Sequence, residues 1–259
     1  MISSSQNSRI KLARSLAGRS KKRRDGQAFI AEGIRLVEEA LAAEWPFRFV
    51  FHTDALSARG VELLKRIKQQ KIETEEVQRR VLASISDTET SQGILAVLEY
   101  RLLPVPQAVD FLLILDAMRE PGNLGTLLRT ADAAGVQAVV LAPETVDAFA
   151  PKVVRAGMGA HFRLPVQSMD WPEIGRLVES MNLGVCLADM RGTACWEADF
   201  RRPVALIIGG EAEGASEQAR KVANRTVRIP MQGKAESLNA AVAGSILMFE
   251  VVRQRNARA

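Results

Sequence analysis

Hydrophobic and polar positions along this chain follow two periods, and the switches between them predict its elements. Phe111 to Leu115 is an unbroken apolar run, the pattern of a strand buried on both faces of a parallel sheet. Ala138 to Leu141, Gly184 to Ala188 and Val204 to Ile208 repeat it, and Phe162 to Val166 and Val227 to Ile229 predict two further short strands. Between them, Thr126 to Ala134, Glu173 to Met181 and Glu217 to Val222 carry the spacing of amphipathic helices. Leu238 to about Arg255 predicts a long last helix, with Leu238, Val242, Ile246, Phe249 and Val252 along its apolar face. The first hundred residues alternate likewise. Helices are expected over Gln6–Ala17, Ile34–Ala43 and Leu56–Lys68, with a helical turn at Val81-Leu82 and a basic turn from Ser20 to Gly26. Strands are expected at Phe29–Ala31, Phe47–Phe51, Ile72–Glu75 and Gly93–Leu98. Such alternation predicts an α/β protein. The proline spacing of Leu102-Leu103-Pro104-Val105-Pro106-Gln107 predicts a linker, dividing the chain into 1–103 and 104–259.

Charge distribution adds a partner to this picture. Residues 1–24 hold eight basic side chains and no acidic one, while the remaining chain is net acidic. Arg9, Lys11, Arg14, Lys21, Lys22, Arg23 and Arg24 are therefore candidate contacts to nucleic-acid phosphates; a solvated basic tail is the plain alternative. The only cysteines are Cys186 and Cys195, and His52 and His161 lie far from them and from each other, which excludes a four-ligand zinc site and points to a reducing, cytoplasmic setting. No apolar run approaches a membrane span and no signal peptide is expected.

Candidate chemistry lies where strands end. Asp116 to Gly125 is a polar loop after the first apolar strand, yet it carries neither a G-x-G-x-x-G fingerprint nor a P-loop ending. Gly209-Gly210-Glu211-Ala212-Glu213-Gly214 is glycine-rich and acidic, so a backbone can approach a ligand there, but a phosphate is disfavoured. The stretch from Ile229-Pro230-Met231 to Ser237-Leu238-Asn239 joins a short strand to the last helix, with Ser237 placed to cap it. Free N–H groups are expected at such a junction.

Taken in order, Asn123-x-Gly125-x-x-x-Arg129-Thr130-Ala131, Gly209-Gly210-Glu211-x-x-Gly214 and Ile229-Pro230-Met231 through Ser237-Leu238-Asn239 closely resemble the three motifs of the SpoU (TrmH) family of RNA ribose 2′-O-methyltransferases, in the SPOUT class. The resemblance covers about residues 111–256. Gln6-Asn7-x-x-Ile10-Lys11 and Phe29-Ile30-Ala31-Glu32-Gly33 resemble the ribosomal-protein-L30-like RNA-binding domain that many members place first.

This resemblance implies a parallel-sheet catalytic domain with a deep trefoil knot, a homodimer with the site near its interface, and S-adenosylmethionine (SAM) as methyl donor without a metal. It places Gly209, Gly210, Gly214, Ile229, Met231 and Leu238 against the cofactor, with Leu187 and Ala188 in the segment closing over it. Arg129 matches the arginine proposed to activate the 2′-hydroxyl. A guanidinium is a poor base, so stabilisation of the developing alkoxide is the sounder role. Asn123 is expected to fix the loop, Glu211 to orient substrate, and Ser237 and Asn239 to bond the ribose or hold the loop. Gly157 stands where relatives often carry Ser, which puts a hydroxyl contact there in doubt. The extra amino-terminal domain favours ribosomal RNA of the 23S type as substrate; transfer RNA, or a non-catalytic RNA-binding or ribosome-assembly role on the same fold, are the alternatives.

Overall fold

The computed structural model describes residues 1–86, 88, 90–211 and 213–257. The chain forms two compact units, residues 1–101 with 147–162, and residues 102–146 with 163–259.

The first unit holds α1 (Ser8–Gly18), α2 (Ser20–Asp25), β1 (Ala28–Glu32), α3 (Ile34–Ala42), β2 (Phe47–His52), α4 (Ala58–Gln69), β3 (Thr74–Glu76), α5 (Arg79–Ala83) and β4 (Ile94–Glu99). Its sheet runs β1-β4-β2-β3. β4 is antiparallel to both neighbours, and β3 is parallel to β2. Asn7 caps α1 by accepting from the Arg9 N–H at 2.9 Å. Ile10, Ala13 and Leu16 of α1 then share a core with Ile30, Phe51 and Val97 of the sheet.

Where a basic turn was expected, α2 is a helix, because its central arginine is structural. Arg23 is 4% exposed. It donates to Asp147 Oδ2 through Nε (2.8 Å) and Nη2 (2.7 Å) and to the Leu16 carbonyl through Nη1 (2.7 Å). Asp147 opens the returning segment, which was not foreseen as a helix but contains one at Pro151–Gly157. Aromatic rings hold that segment: Phe149 lies 4.9 Å from Phe29 and 4.3 Å from Tyr100, and Phe162 lies 5.2 Å from Trp45. Phe162 therefore ends a 3-10 turn (Ala160–Phe162) instead of opening a strand, and the strand follows Pro165.

In the second unit the elements are β5 (Phe111–Asp116), α6 (Pro121–Ala133), β6 (Ala138–Leu141), then, after α7 (the returning Pro151–Gly157), β7 (Val166–Ser168), α8 (Trp171–Ser180), β8 (Gly184–Ala194), β9 (Val204–Gly209), α9 (Glu217–Val222), β10 (Arg225–Arg228) and α10 (Ala240–Asn256). All pairs in its sheet, β10-β8-β9-β5-β6-β7, are parallel. Leu112, Ile114, Val140, Val185, Ala205 and Ile207 fill the core on one of its faces.

Three departures from expectation shape the site. First, α6 begins at Pro121, with the Glu120 carboxylate accepting from Gly122 N (3.2 Å); proline suits a first helical turn, where its missing N–H costs nothing. Asn123 is thus in the helix, not in a loop before it. Second, β8 does not stop at Ala188. Leu187 pairs with Thr226 and Thr193 with Val227, so residues 188–192 leave the sheet against a single step of β10. Gly192 closes this excursion, since a Cβ there would stand 2.4 Å from Val227 N.

Third, Asn239, not Ser237, caps α10, accepting from Ala241 N (2.9 Å) and Val242 N (3.2 Å). The expected apolar face of that helix is outward: Val242 is 48% exposed and Phe249 48%, with Leu238 and Ile246 also exposed. The buried face is Ala241, Gly244, Leu247, Met248 and Val251. Gly244 marks the closest approach of α10 to α6 and β9, where a Cβ would meet Leu127 Cδ2 at 2.5 Å.

Candidate active site

At the carboxyl edge of the second unit's sheet lies a cavity of about 610 Å³, within the range typical of small-molecule sites. The end of β9 supplies Ile208, Gly209 and Gly210; the β8 excursion supplies Ala188, Asp189 and Met190; the segment after β10 supplies Ile229, Met231, Ser237, Leu238 and Asn239. The cofactor residues expected from the resemblance therefore converge here, Gly214 included. Leu187 is the exception: it is fully buried in the core, one residue short of the wall.

The glycine turn is shaped by close backbone approach. A Cβ on Gly209 would lie 2.5 Å from Ala215 N, and one on Gly210 would lie 2.3 Å from the Ala117 carbonyl oxygen. Gly214 has φ +68°, and an isolated bridge to Gly210 closes the turn. The turn thereby presents Glu211. Asn239 Nδ2 donates to Asn123 Oδ1 (3.0 Å), and Asn123 Nδ2 donates to Glu211 Oε1 (2.7 Å). One polar relay thus joins all three motifs across 116 residues of sequence. Arg119 N also donates to Glu211 Oε2 (3.4 Å). A smaller cavity of about 300 Å³, lined by Ala117, Arg119 and Glu120, shares this turn.

Arg129 is placed differently. It is exposed on α6, and its side chain has no hydrogen bond or ion pair among the described residues. Six residues past Asn123, it stands about 9 Å further along the helix axis and does not line the cavity. Ser237 is exposed at the cavity wall and caps nothing.

Asp189 and Arg220 are charged wall residues that were not foreseen. Asp189 accepts from Arg191 N (2.9 Å) and from the Arg220 guanidinium. Burial alone would raise its carboxyl, but these donors outweigh burial and hold it at about 2. It is therefore a fixed anion tying the β8 excursion to α9. Asp189 follows an expected site residue directly and was within reach of the sequence; Arg220 joins it only through folding.

Among the candidate RNA contacts, Lys11, Arg14, Lys21, Lys22 and Arg24 are exposed. Arg23 is withdrawn by its burial against Asp147, and Arg9 is paired with Glu73 (2.7 Å) and Glu75. Arg14 donates to Ser84 Oγ (2.9 Å) but remains open to solvent.

A nucleoside-bearing donor suits the larger cavity. Ile208, Leu238 and Leu247 offer an apolar slot. From Ile229 to Leu238 no backbone N–H bonds another backbone carbonyl among the described residues, which leaves donors for ring nitrogens. Among the described residues there is no cluster able to hold a metal ion, and no helix is long and apolar enough to cross a membrane.

A parallel sheet whose carboxyl edge carries two irregular loops around one cavity defines an α/β fold with a ligand site at its strand ends, and its likeness to SpoU methyltransferase structures places it in the SPOUT class. Comparison with known proteins agrees and narrows it. Residues 110–249 match the SpoU rRNA Methylase family, and residues 7–96 match the MRM3-like substrate binding domain. The chain belongs to the SpoU rRNA methylase family. It is 32% identical to the 23S rRNA (uridine(2479)-2′-O)-methyltransferase of Streptomyces viridochromogenes, over 97% of this chain and 91% of that protein. It is 33% identical to the 23S rRNA (guanosine(2553)-2′-O)-methyltransferase of Bacillus subtilis, over 96% and 98%. The crystal structure of the SpoU methyltransferase AviRb from Streptomyces viridochromogenes with AdoMet superimposes with a TM-score of 0.87 at 30% identity, covering 97% of this chain and all of that one.

Proposed function

We propose that this protein transfers a methyl group from SAM to a ribose 2′-hydroxyl of RNA, with ribosomal RNA of the 23S type as substrate. The observation that carries the reading is the Asn239–Asn123–Glu211 relay at the rim of a cavity sized for the donor. Two relatives named as 23S rRNA 2′-O-methyltransferases, alike over nearly the whole chain, support the substrate.

When bound, SAM supplies an electrophilic methyl group on a sulfonium. The protein's task is placement. Ile208, Leu238 and Leu247 exclude water around the donor, and the free amides of 229–238 orient it. The relay fixes Glu211 and Asn123 as acceptors and donors for the ribose hydroxyls. As the 2′-oxygen bonds the methyl carbon, the methyl–sulfur bond breaks to leave a neutral thioether and the hydroxyl proton passes to solvent, while a guanidinium beside the oxygen stabilises its developing negative charge.

Arg129 reaches that position from a second copy. Supporting this is the outward face of α10, with Leu238, Val242, Ile246 and Phe249 exposed beside the helix that bears Arg129; contiguous exposed apolar surface marks an interaction site. A homodimer covering it would carry one subunit's arginine to its partner's cavity. The trefoil knot belongs to the same reading. Supporting it, β10 lies at the sheet edge beyond β8, while α10 packs on β9 and α6. A cytoplasmic location is supported by two free, buried cysteines.

The test is transfer of labelled methyl from SAM to ribosomal RNA of the host, with the product mapped by its resistance to alkaline cleavage. Label on one ribose 2′-oxygen of the large-subunit RNA is expected. Label on a base, on transfer RNA alone, or on no RNA overturns the proposal.

A further inference from the structure

Asp116 belongs to none of the motif positions, yet it is 1% exposed at the carboxyl end of β5. Its Oδ2 accepts from the backbone N–H of Ser216 at 2.7 Å, a bond across 100 residues. Ser216 is where the glycine turn ends and α9 begins, its hydroxyl capping Ala219 N at 3.1 Å. The next residue, Ala117, has φ +52° and offers its carbonyl to the flank of Gly210, where no Cβ fits. The 209–216 turn is consequently gripped at both legs by one dipeptide: Asp116 holds the outgoing leg by a charge-assisted hydrogen bond, and Ala117 abuts the incoming leg. The turn forms one wall of both cavities and carries Glu211, the end of the relay.

We propose that Asp116 is a positioning residue for methyl transfer, setting the height of the glycine turn and through it the placement of Glu211 and of the donor. This rests on the function proposed above. The carboxylate touches neither reactant and moves no proton. Its buried acceptor fixes a loop whose displacement by about 1 Å is enough to cost on the order of 100-fold in rate.

Ser216 allows the bond to be cut from its other side. Its φ of −65° is the angle proline adopts. Ser216→Pro therefore deletes the N–H together with the cap, whereas Ser216→Ala deletes the cap alone. Donor affinity by calorimetry, single-turnover methylation at saturating SAM and melting temperature would be measured on the full-length protein and on Asp116→Ala, Asp116→Asn, Ser216→Pro and Ser216→Ala. Expected are a fall in single-turnover rate of roughly 10- to 100-fold for Asp116→Ala, a weaker donor constant, and recovery of most of the rate in Asp116→Asn, whose amide oxygen still accepts. Ser216→Pro should behave as Asp116→Ala, and Ser216→Ala as the wild type. If Asp116→Ala does not fold, the contrast between the two Ser216 variants decides alone. Variants that melt earlier but bind SAM and react as the wild type per folded molecule overturn the inference, as does a Ser216→Pro rate equal to that of Ser216→Ala. A wild type that methylates no ribose overturns the proposed function instead.

Discussion

Arg23 in the first unit is enclosed, bonded to Asp147 and to a helix-end carbonyl, and turned away from water. Arg129 in the second is exposed and bonded to no described residue. The same contrast holds for the backbone. In the first unit the returning segment meets an aromatic cluster, while in the second the nine N–H groups of residues 229–238 (Pro230 has none) bond no backbone carbonyl among the described residues. Buried backbone satisfies nearly all such groups within the protein; these lie on half-buried to exposed chain, open to water and free to turn to a ligand beside the apolar slot. One unit uses its polar groups to close itself, and the other reserves them.

Substitution of the two arginines should separate these uses. Arg129→Ala is expected to lower the single-turnover methylation rate by about 100- to 1,000-fold, the usual consequence of removing one oxyanion donor, with melting temperature and RNA affinity nearly unchanged. Equal loss of RNA binding would make Arg129 a docking contact and favour a non-catalytic role. Arg23→Ala should do the reverse. It leaves Asp147 without its buried partner, at a cost of about 3 kcal/mol or more, read as a lower denaturation midpoint, while the rate per folded molecule holds.

His161 gives a third, smaller contrast, also in the first unit. Its Nε2 lies 2.7 Å from the Ala148 carbonyl, its Nδ1 has no partner among the described residues, and burial holds the ring at about 4. Between that value and the unfolded value near 6.5, the unfolded chain binds a proton that the folded chain refuses. Stability is therefore full above about pH 6.5 and falls as pH drops toward 4, by about 2 kcal/mol at pH 5. Urea midpoints at pH 7 and pH 5 would show this, and His161→Gln should flatten the difference. A midpoint independent of pH in the wild type would mean that the ring is not held neutral.

Local pattern made the strands legible, because a parallel sheet buried on both faces leaves apolar runs such as Phe111–Leu115 and Val204–Ile208 that are too short for a buried helix and are followed by polar or glycine-rich turns. It misread α10 for the same reason it read the strands: large apolar residues were assigned to the core. In fact Gly244 and Ala241 face inward, where a small side chain admits the close approach of α6, together with Leu247, Met248 and Val251, while Val242, Ile246 and Phe249 are left outside. Arg23 shows the corresponding failure for charge. Nothing local distinguishes it from Lys22 or Arg24; its partner Asp147 lies 124 residues away. The site residues were placed by their motifs, and the geometry then joined them, Asn239 to Asn123 to Glu211. Asp116 and Arg220 had no such signal, since each acquires its role from a contact that exists only once the sheet has assembled.

The smallest effect bears on the basic segment itself. Counting charges would assign phosphate contacts to every basic residue from Arg9 to Arg24, but folding removes Arg23 into the core and pairs Arg9 with glutamates. Neutralising Lys21, Lys22 and Arg24 together should therefore lessen the slope of log affinity against log salt by about 2 to 3, since each phosphate contact releases just under one counterion. Replacing Arg23 should leave the slope unaltered at temperatures where the variant is folded, even though it adjoins two of the three in sequence. Filter binding or fluorescence anisotropy to a ribosomal RNA fragment, between 50 and 200 mM salt, would resolve a change of that size. An unchanged slope in the triple variant would make these side chains a solvated face and move the RNA contact elsewhere on the chain. A reduced slope in the Arg23 variant alone would show that the ion pair with Asp147 opens when RNA binds.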